Sequence, residues 1–163
     1  MGVAFPPMAL ETIAREHVIR GVAPRAVYDV VTDYACYPRI FPEFNGCKVL
    51  ERHGFRQLVE FRAKLVVDVR YVLDIVHDAA ALSTRWTLAE GEVVAESEGG
   101  WSISGDESAT LVRYRAGLAI KAPLPRVLVN KISNALIGTN VPHMFRALEK
   151  EALARRRYAV AAP

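Results

Sequence analysis

The sequence predicts an α+β fold: one antiparallel sheet with a single apolar face, packed against a helical C-terminal segment. Three observations carry this. From residue 47 to 121 apolar and polar residues alternate over six stretches, as in strands covered on one side. From Pro125 to Arg157 apolar residues recur at helical spacing instead. Ahead of the six stretches lie one further strand and two short helical segments, around Pro24 and Pro42.

Taken in order, residues 12–20 (TIAREHVIR) mix apolar and polar residues like a strand. Pro24 suits a first helical turn, where its missing N–H costs nothing, and Val27, Val30 and Val31 follow at helical spacing, giving a helix over 24–32. Asp33 is placed to cap a second short helix over Tyr34–Ile40, which Pro42 ends. CKVLER (47–52) is a short strand closed by Gly54.

From Phe55 to Ile75 the alternation hardly breaks. Phe55, Val59, Phe61, Ala63 and Leu65 share one parity, then Val67, Val69, Tyr71, Leu73 and Ile75 share the next. One straight strand of that length would run to about 70 Å, in a domain only ~40 Å across. The chain must therefore reverse near 64–68, although no Gly or Pro marks the place. The charges opposite, Arg56, Glu60, Arg62 and Lys64, fit a solvated outer face with cross-strand pairing.

LSTRWTL (82–88) puts Leu82, Trp86 and Leu88 on one face. Residues 92–104 put Val93, Ala95, Gly99, Trp101 and Ile103 on one parity, and Gly105-Asp106 makes a hairpin turn. Residues 108–121 place Val112, Tyr114, Ala116, Leu118 and Ile120 together. In the C-terminal segment Leu128, Ile132, Leu136, Val141, Phe145, Leu148 and Ala152 form the apolar stripe. Pro142 either kinks this helix, pressing on Gly138, or divides it in two with Asn140 as a cap.

At 163 residues, 52% hydrophobic and 24% charged, the chain reads as one folded domain, 1–163, with a core about 11–157. No apolar run approaches the ~18 residues of a membrane helix, and MGVAFPPMALE lacks the features of a signal peptide. Position 6 is Pro6, which excludes the myristoylation pattern. Cys36 and Cys47 read as reduced, small hydrophobes of a cytoplasmic protein. The net charge of +3 is modest, and Arg155-Arg156-Arg157 reads as a solvated helix end.

Chemistry is scarce. No metal-ligand spacing, nucleophile elbow or phosphate loop occurs. His77 and Asp78 are neighbours on a strand and point to opposite faces, so they form no dyad there. His17 shares parity with Ile13 and Ile19 and reads as a satisfied or surface histidine. Rings are the more informative feature: residues 27–44 alone hold Tyr28, Tyr34, Tyr37, Phe41 and Phe44. Trp86, Trp101, Tyr71 and Tyr114 lie on the apolar parity of their strands, each with a polar atom that needs a partner when buried.

The order of elements, with VAPRAVYDVVTDYACYPRIFPEFNGCKVLER (22–52), GGWSI (99–103), TLVRYR (110–115) and PHMFRALEKEA (142–152), resembles the START/Bet v1-like superfamily, in its polyketide cyclase/dehydrase and coenzyme Q-binding branch. The resemblance covers nearly the whole chain. It implies a helix-grip fold, a curved seven-stranded antiparallel sheet around a long C-terminal helix, with two short helices after strand 1. Where the family often has Ser or Thr to cap the first helix, this chain has Val22-Ala23. The resemblance further implies a cavity between sheet and helix.

Tyr34, Tyr37 and Phe41 would line or lid that cavity, or else plug the space, and Phe61, Tyr71, Trp86, Trp101, Tyr114 and Met144 complete the expected ligand-binding set. The expected occupant is an apolar molecule such as a quinone, isoprenoid or other lipid, carried without catalysis and without a cofactor or metal. A polyketide aromatase/cyclase is the alternative, with Tyr71, Tyr114 or His17 as proton donors. A protein- or ribosome-interaction module is the third. No nucleic-acid partner and at most peripheral membrane contact are expected.

Overall fold

The computed structural model describes residues 10–64, 67–121, 124–136 and 141–161. Seven strands form one antiparallel sheet: β1 (Glu11–Arg20), β2 (Phe44–His53), β3 (Arg56–Lys64), β4 (Asp68–Asp78), β5 (Ser83–Gly91), β6 (Val94–Gly105) and β7 (Ala109–Ile120). The helices are α1 (Pro24–Val31), a 3-10 turn (Tyr34–Cys36), α2 (Tyr37–Ile40), α3 (Arg126–Leu136) and α4 (Val141–Ala161). This is the helix-grip α+β fold.

The strand order is β1-β7-β6-β5-β4-β3-β2. Strands β1 and β2 are consecutive in the chain yet occupy opposite edges of the sheet. The connection between them, which holds α1 and α2, must therefore cross the sheet's concave side. That topology explains the density of rings in residues 27–44: they face a core rather than solvent. Bulges interrupt the register between Phe44 and Gly46, Val49 and Glu51, Val72 and Leu73, and Val94 and Glu96. Bulges bend a strand and increase its twist, which curves the sheet.

The crossing connection is tied down at several points. Thr110 Oγ1 donates to the Val22 carbonyl at 2.6 Å. Arg39 donates twice to Glu151, at 3.0 and 2.8 Å, and Arg155 reaches Asp33 at 2.7 Å and Glu151 at 3.1 Å. Arg156 donates to the Gly21 carbonyl. The triple-arginine run is thus a clasp in two of its three members, not a wholly solvated end. α4 also continues beyond it to Ala161.

Several expectations hold. The reversal falls between Lys64 and Asp68, which pair across it, and the parity beyond is as read from Val69 on: Val69, Tyr71, Leu73 and Ile75 are buried, whereas Val67 sits in the bend before β4 and is exposed. The outer-face charges pair, with Glu60 taking Arg62 and Arg70, both at 2.8 Å. Pro142 stands in the first turn of α4, where its missing N–H breaks no helical bond. Gly138 and Asn140, on which the two alternatives at Pro142 turned, lie outside the described residues, as does Leu65.

Others are corrected. Phe55 is 70% exposed because it sits in the turn before β3, where strand parity has no meaning. Leu82 lies in the turn before β5 at φ 52°, not on the strand face. Val94, not Val93 or Ala95, is the fully buried residue entering β6, because the bulge there adds a residue and flips the parity. Asp33 gives no side-chain cap; its carboxylate is taken by Arg155. Ala23 likewise caps α1 with no side-chain bond, so Pro24 alone marks that start.

Candidate functional site

The concave face of the sheet, the crossing connection and α4 enclose a cavity of about 80 Å³, measured as room for the centres of water molecules. Nine of its seventeen lining residues are aromatic. The structure brings all nine residues expected from the sequence to this one wall: Tyr34, Tyr37 and Phe41 from the connection, Phe61, Tyr71, Trp86, Trp101 and Tyr114 from the sheet, and Met144 from α4. Register explains the grouping. Phe61 pairs with Tyr71 across β3 and β4, and their rings stack at 5.5 Å. Trp101 pairs with Tyr114 across β6 and β7 at 4.7 Å. Trp86 pairs with Gly99, whose missing side chain leaves space for the indole.

Tyr34, Tyr37 and Phe41 are buried, and their rings pack on one another and on Phe61, so they line the cavity and fill the core at once. Phe44, absent from the sequence expectation, joins them at 6.0 Å from Tyr37 and 5.4 Å from Phe61.

The polar atoms divide into two groups. Tyr37 donates its hydroxyl to the Val31 carbonyl at 2.5 Å, and Tyr34 is hydrogen-bonded to His77 at 2.8 Å. Those two phenols are taken by the protein. The hydroxyls of Tyr71 and Tyr114 have no hydrogen-bonding partner among the described residues, yet neither is a sealed, unsatisfied atom. Both residues line the cavity. Burial raises both above the usual phenol range, so each is a neutral O–H rather than a ready acid. Thr84 is spent on its neighbour, accepting from the Trp101 backbone N–H at 3.3 Å.

Sequence reasoning missed Glu43. It lies in the turn between α2 and β2 and lines the same wall, half-buried. Burial raises its carboxyl, opposed by its own backbone N–H and by nearby His143. No motif marks a lone Glu after a Pro, and only the position of β2 at the sheet edge brings it here. His17, a proton donor in the cyclase alternative, is not on the wall. It stacks on Phe145 at 5.2 Å and faces Glu149 at 3.4 Å. Cys36 and Cys47 are free and half-buried, and burial pushes the Cys47 thiol up to about 12, which leaves it a poor nucleophile. Among the described residues no cluster of His, Cys, Asp and Glu could hold a metal ion, and no helix is long and apolar enough to cross a membrane.

A curved sheet, a ring-rich crossing connection and a terminal helix around an aromatic cavity define a helix-grip protein of the START/Bet v1-like superfamily. Within it, the chain belongs to the polyketide cyclase/dehydrase and lipid transport family, whose model matches residues 21–145. Solved structures agree on the fold. The Zhui aromatase/cyclase from a Streptomyces species superposes with a TM-score of 0.81 at 17% identity, covering 93% of this chain and 98% of that one. The protein TTHA0849 from Thermus thermophilus gives 0.77 at 23% identity, over 89% and 99%. A START superfamily protein from Mycobacterium smegmatis gives 0.72 at 19%, over 88% and 97%. No curated protein sequence matches the chain significantly.

Proposed function

We propose that this protein binds a compact, ring-bearing, largely apolar small molecule in the aromatic cavity, without covalent chemistry. The observation that carries this is the wall itself: nine rings with two phenol hydroxyls, Tyr71 and Tyr114, left free by the protein. Small-molecule sites commonly combine an apolar lining with a few placed polar groups. The cavity offers several times the ~10–15 Å³ that one ordered water needs, and its ring-lined wall favours a ring system over a long chain. A quinone headgroup has that size.

A ligand that binds only the folded state raises the melting temperature, by mass action. The test is thermal unfolding with a panel of short-chain quinones, flavonoids and fatty acids, alongside mass spectrometry of extracts of the purified protein. Ring compounds should stabilise and long-chain fatty acids should not. No shift with any ring compound, and an empty extract, would end this reading.

The second reading, an aromatase/cyclase that works by orienting a reactive chain, is favoured by the family and by the phenols facing the cavity. Incubation with a poly-β-ketone surrogate separates the two. A product ratio identical to that in buffer removes catalysis and leaves binding.

A further inference from the structure

We propose that the cavity's occupant carries a protonated amine, held by the Glu43 carboxylate with aromatic ring faces around its charge. This rests on the binding reading above and adds a charge to its ligand. Among the described residues lining the cavity, Glu43 is the one that bears a formal charge; no Lys, Arg or His shares the wall. An ionised Glu43 therefore makes the field inside negative. Tyr71 and Tyr114 both sense it, since the Glu43 charge contributes to raising each phenol.

Glu43 has no ion pair among the described residues, whereas Glu60, Glu149 and Glu151 each have one. His143 lies within electrostatic reach of Glu43, but its Nδ1 accepts from Arg146 Nη2 at 2.7 Å, and His143 and Glu43 make no ion pair among the described residues. A half-buried carboxylate loses hydration, and its own backbone N–H replaces only part of what water supplied. A ligand ammonium supplies the missing charge. Ring faces add to this, because the quadrupole of an aromatic ring attracts a cation lying over it. An anionic ligand would be repelled by the same wall, and a neutral carbonyl would be served by the Tyr71 and Tyr114 hydroxyls and leave Glu43 unpaired.

The experiment compares 2-phenylethylamine with 2-phenylethanol, two molecules of one shape, by titration near neutral pH with Trp86 and Trp101 fluorescence as the readout. Wild-type protein should bind the amine about tenfold or more tightly than the alcohol. In Glu43→Gln the preference should disappear, with the amine falling to about the affinity of the alcohol. Equal binding of the two by wild-type protein overturns the inference and leaves the cavity reading intact, and it needs no variant to fold. A preference that survives Glu43→Gln also overturns it. Binding of neither molecule removes the cavity reading, and the inference with it.

Discussion

The hydroxyl of Tyr34 lies 2.8 Å from Nε2 of His77, and Nδ1 of the same ring lies 3.0 Å from the Phe55 carbonyl oxygen. A carbonyl only accepts, so the imidazole proton sits on Nδ1 and Nε2 accepts from Tyr34. The bond joins the crossing connection to β4. It spends the Tyr34 hydroxyl on architecture and leaves its ring to the cavity.

His77 is predicted to make stability depend on pH. Burial lowers its folded-state pKa below the ordinary 6.5. The unfolded chain therefore binds a proton at higher pH than the folded one does. The contribution is complete above 6.5 and is lost as pH falls through the lower folded value. Melting temperatures measured from about pH 8 to about pH 5 should fall more steeply for wild-type protein than for His77→Gln. Parallel curves would show that His77 does not titrate differently on folding. Tyr34→Phe should cost about 1 kcal/mol at neutral pH, since it strands the Nε2 lone pair.

Much of this was legible in the sequence, for a physical reason. A strand buried on one side must alternate, so the inward residues of β3, β4 and β7 are visible, although Val72 and Ala119 are buried off that parity. Where a turn or bulge breaks the pairing, alternation misleads, as at Phe55 and Val94. The Tyr34–His77 bond joins residues 43 apart, and a strand read alone offers His77 only its neighbour Asp78. Glu43 is illegible for the same reason: its place on the wall depends on which sheet edge β2 occupies. Ring positions survived because rings on inward parities have few other places to go.

Glu151 is predicted to hold the connection against α4. It accepts from Arg39 and Arg155, and these guanidiniums lower its carboxyl below the usual range. Such a group stabilises above the unfolded value of 4.5, and that contribution fades as pH drops through the folded one. Because Arg39 is largely exposed, solvent screens the pair, and Glu151→Gln should cost only about 1 kcal/mol. The loss should shrink at high salt. A salt-independent loss would point to packing instead.

Gly99 should tolerate no side chain. An added Cβ would lie 2.2 Å from the Arg115 carbonyl oxygen and 2.5 Å from Trp86 Cζ2. The first is backbone and cannot swing away. Gly99→Ala should therefore lose about 3 kcal/mol or more and shift the Trp86 emission, as overpacking forces strand and indole apart. A variant as stable as wild type would mean that β6 is free to move outward.

Tyr71→Phe and Tyr114→Phe are the sharpest pair of changes, because the free and bound proteins should answer differently. Neither hydroxyl has a partner among the described residues, so its removal breaks no internal bond. Unfolding free energy should stay within about 0.5 kcal/mol of wild type, or rise slightly, since a polar atom facing an apolar wall is gone. Trp101→Ala removes a packed ring from the same wall and should cost about 3–5 kcal/mol. Affinity for a ring-bearing ligand that offers a hydrogen-bonding group should fall about fivefold in either Phe variant, the worth of roughly one neutral hydrogen bond. A stability loss of several kcal/mol with unchanged ligand affinity would mean that the two phenols are structural, and that the polar end of the cavity lies elsewhere on the wall.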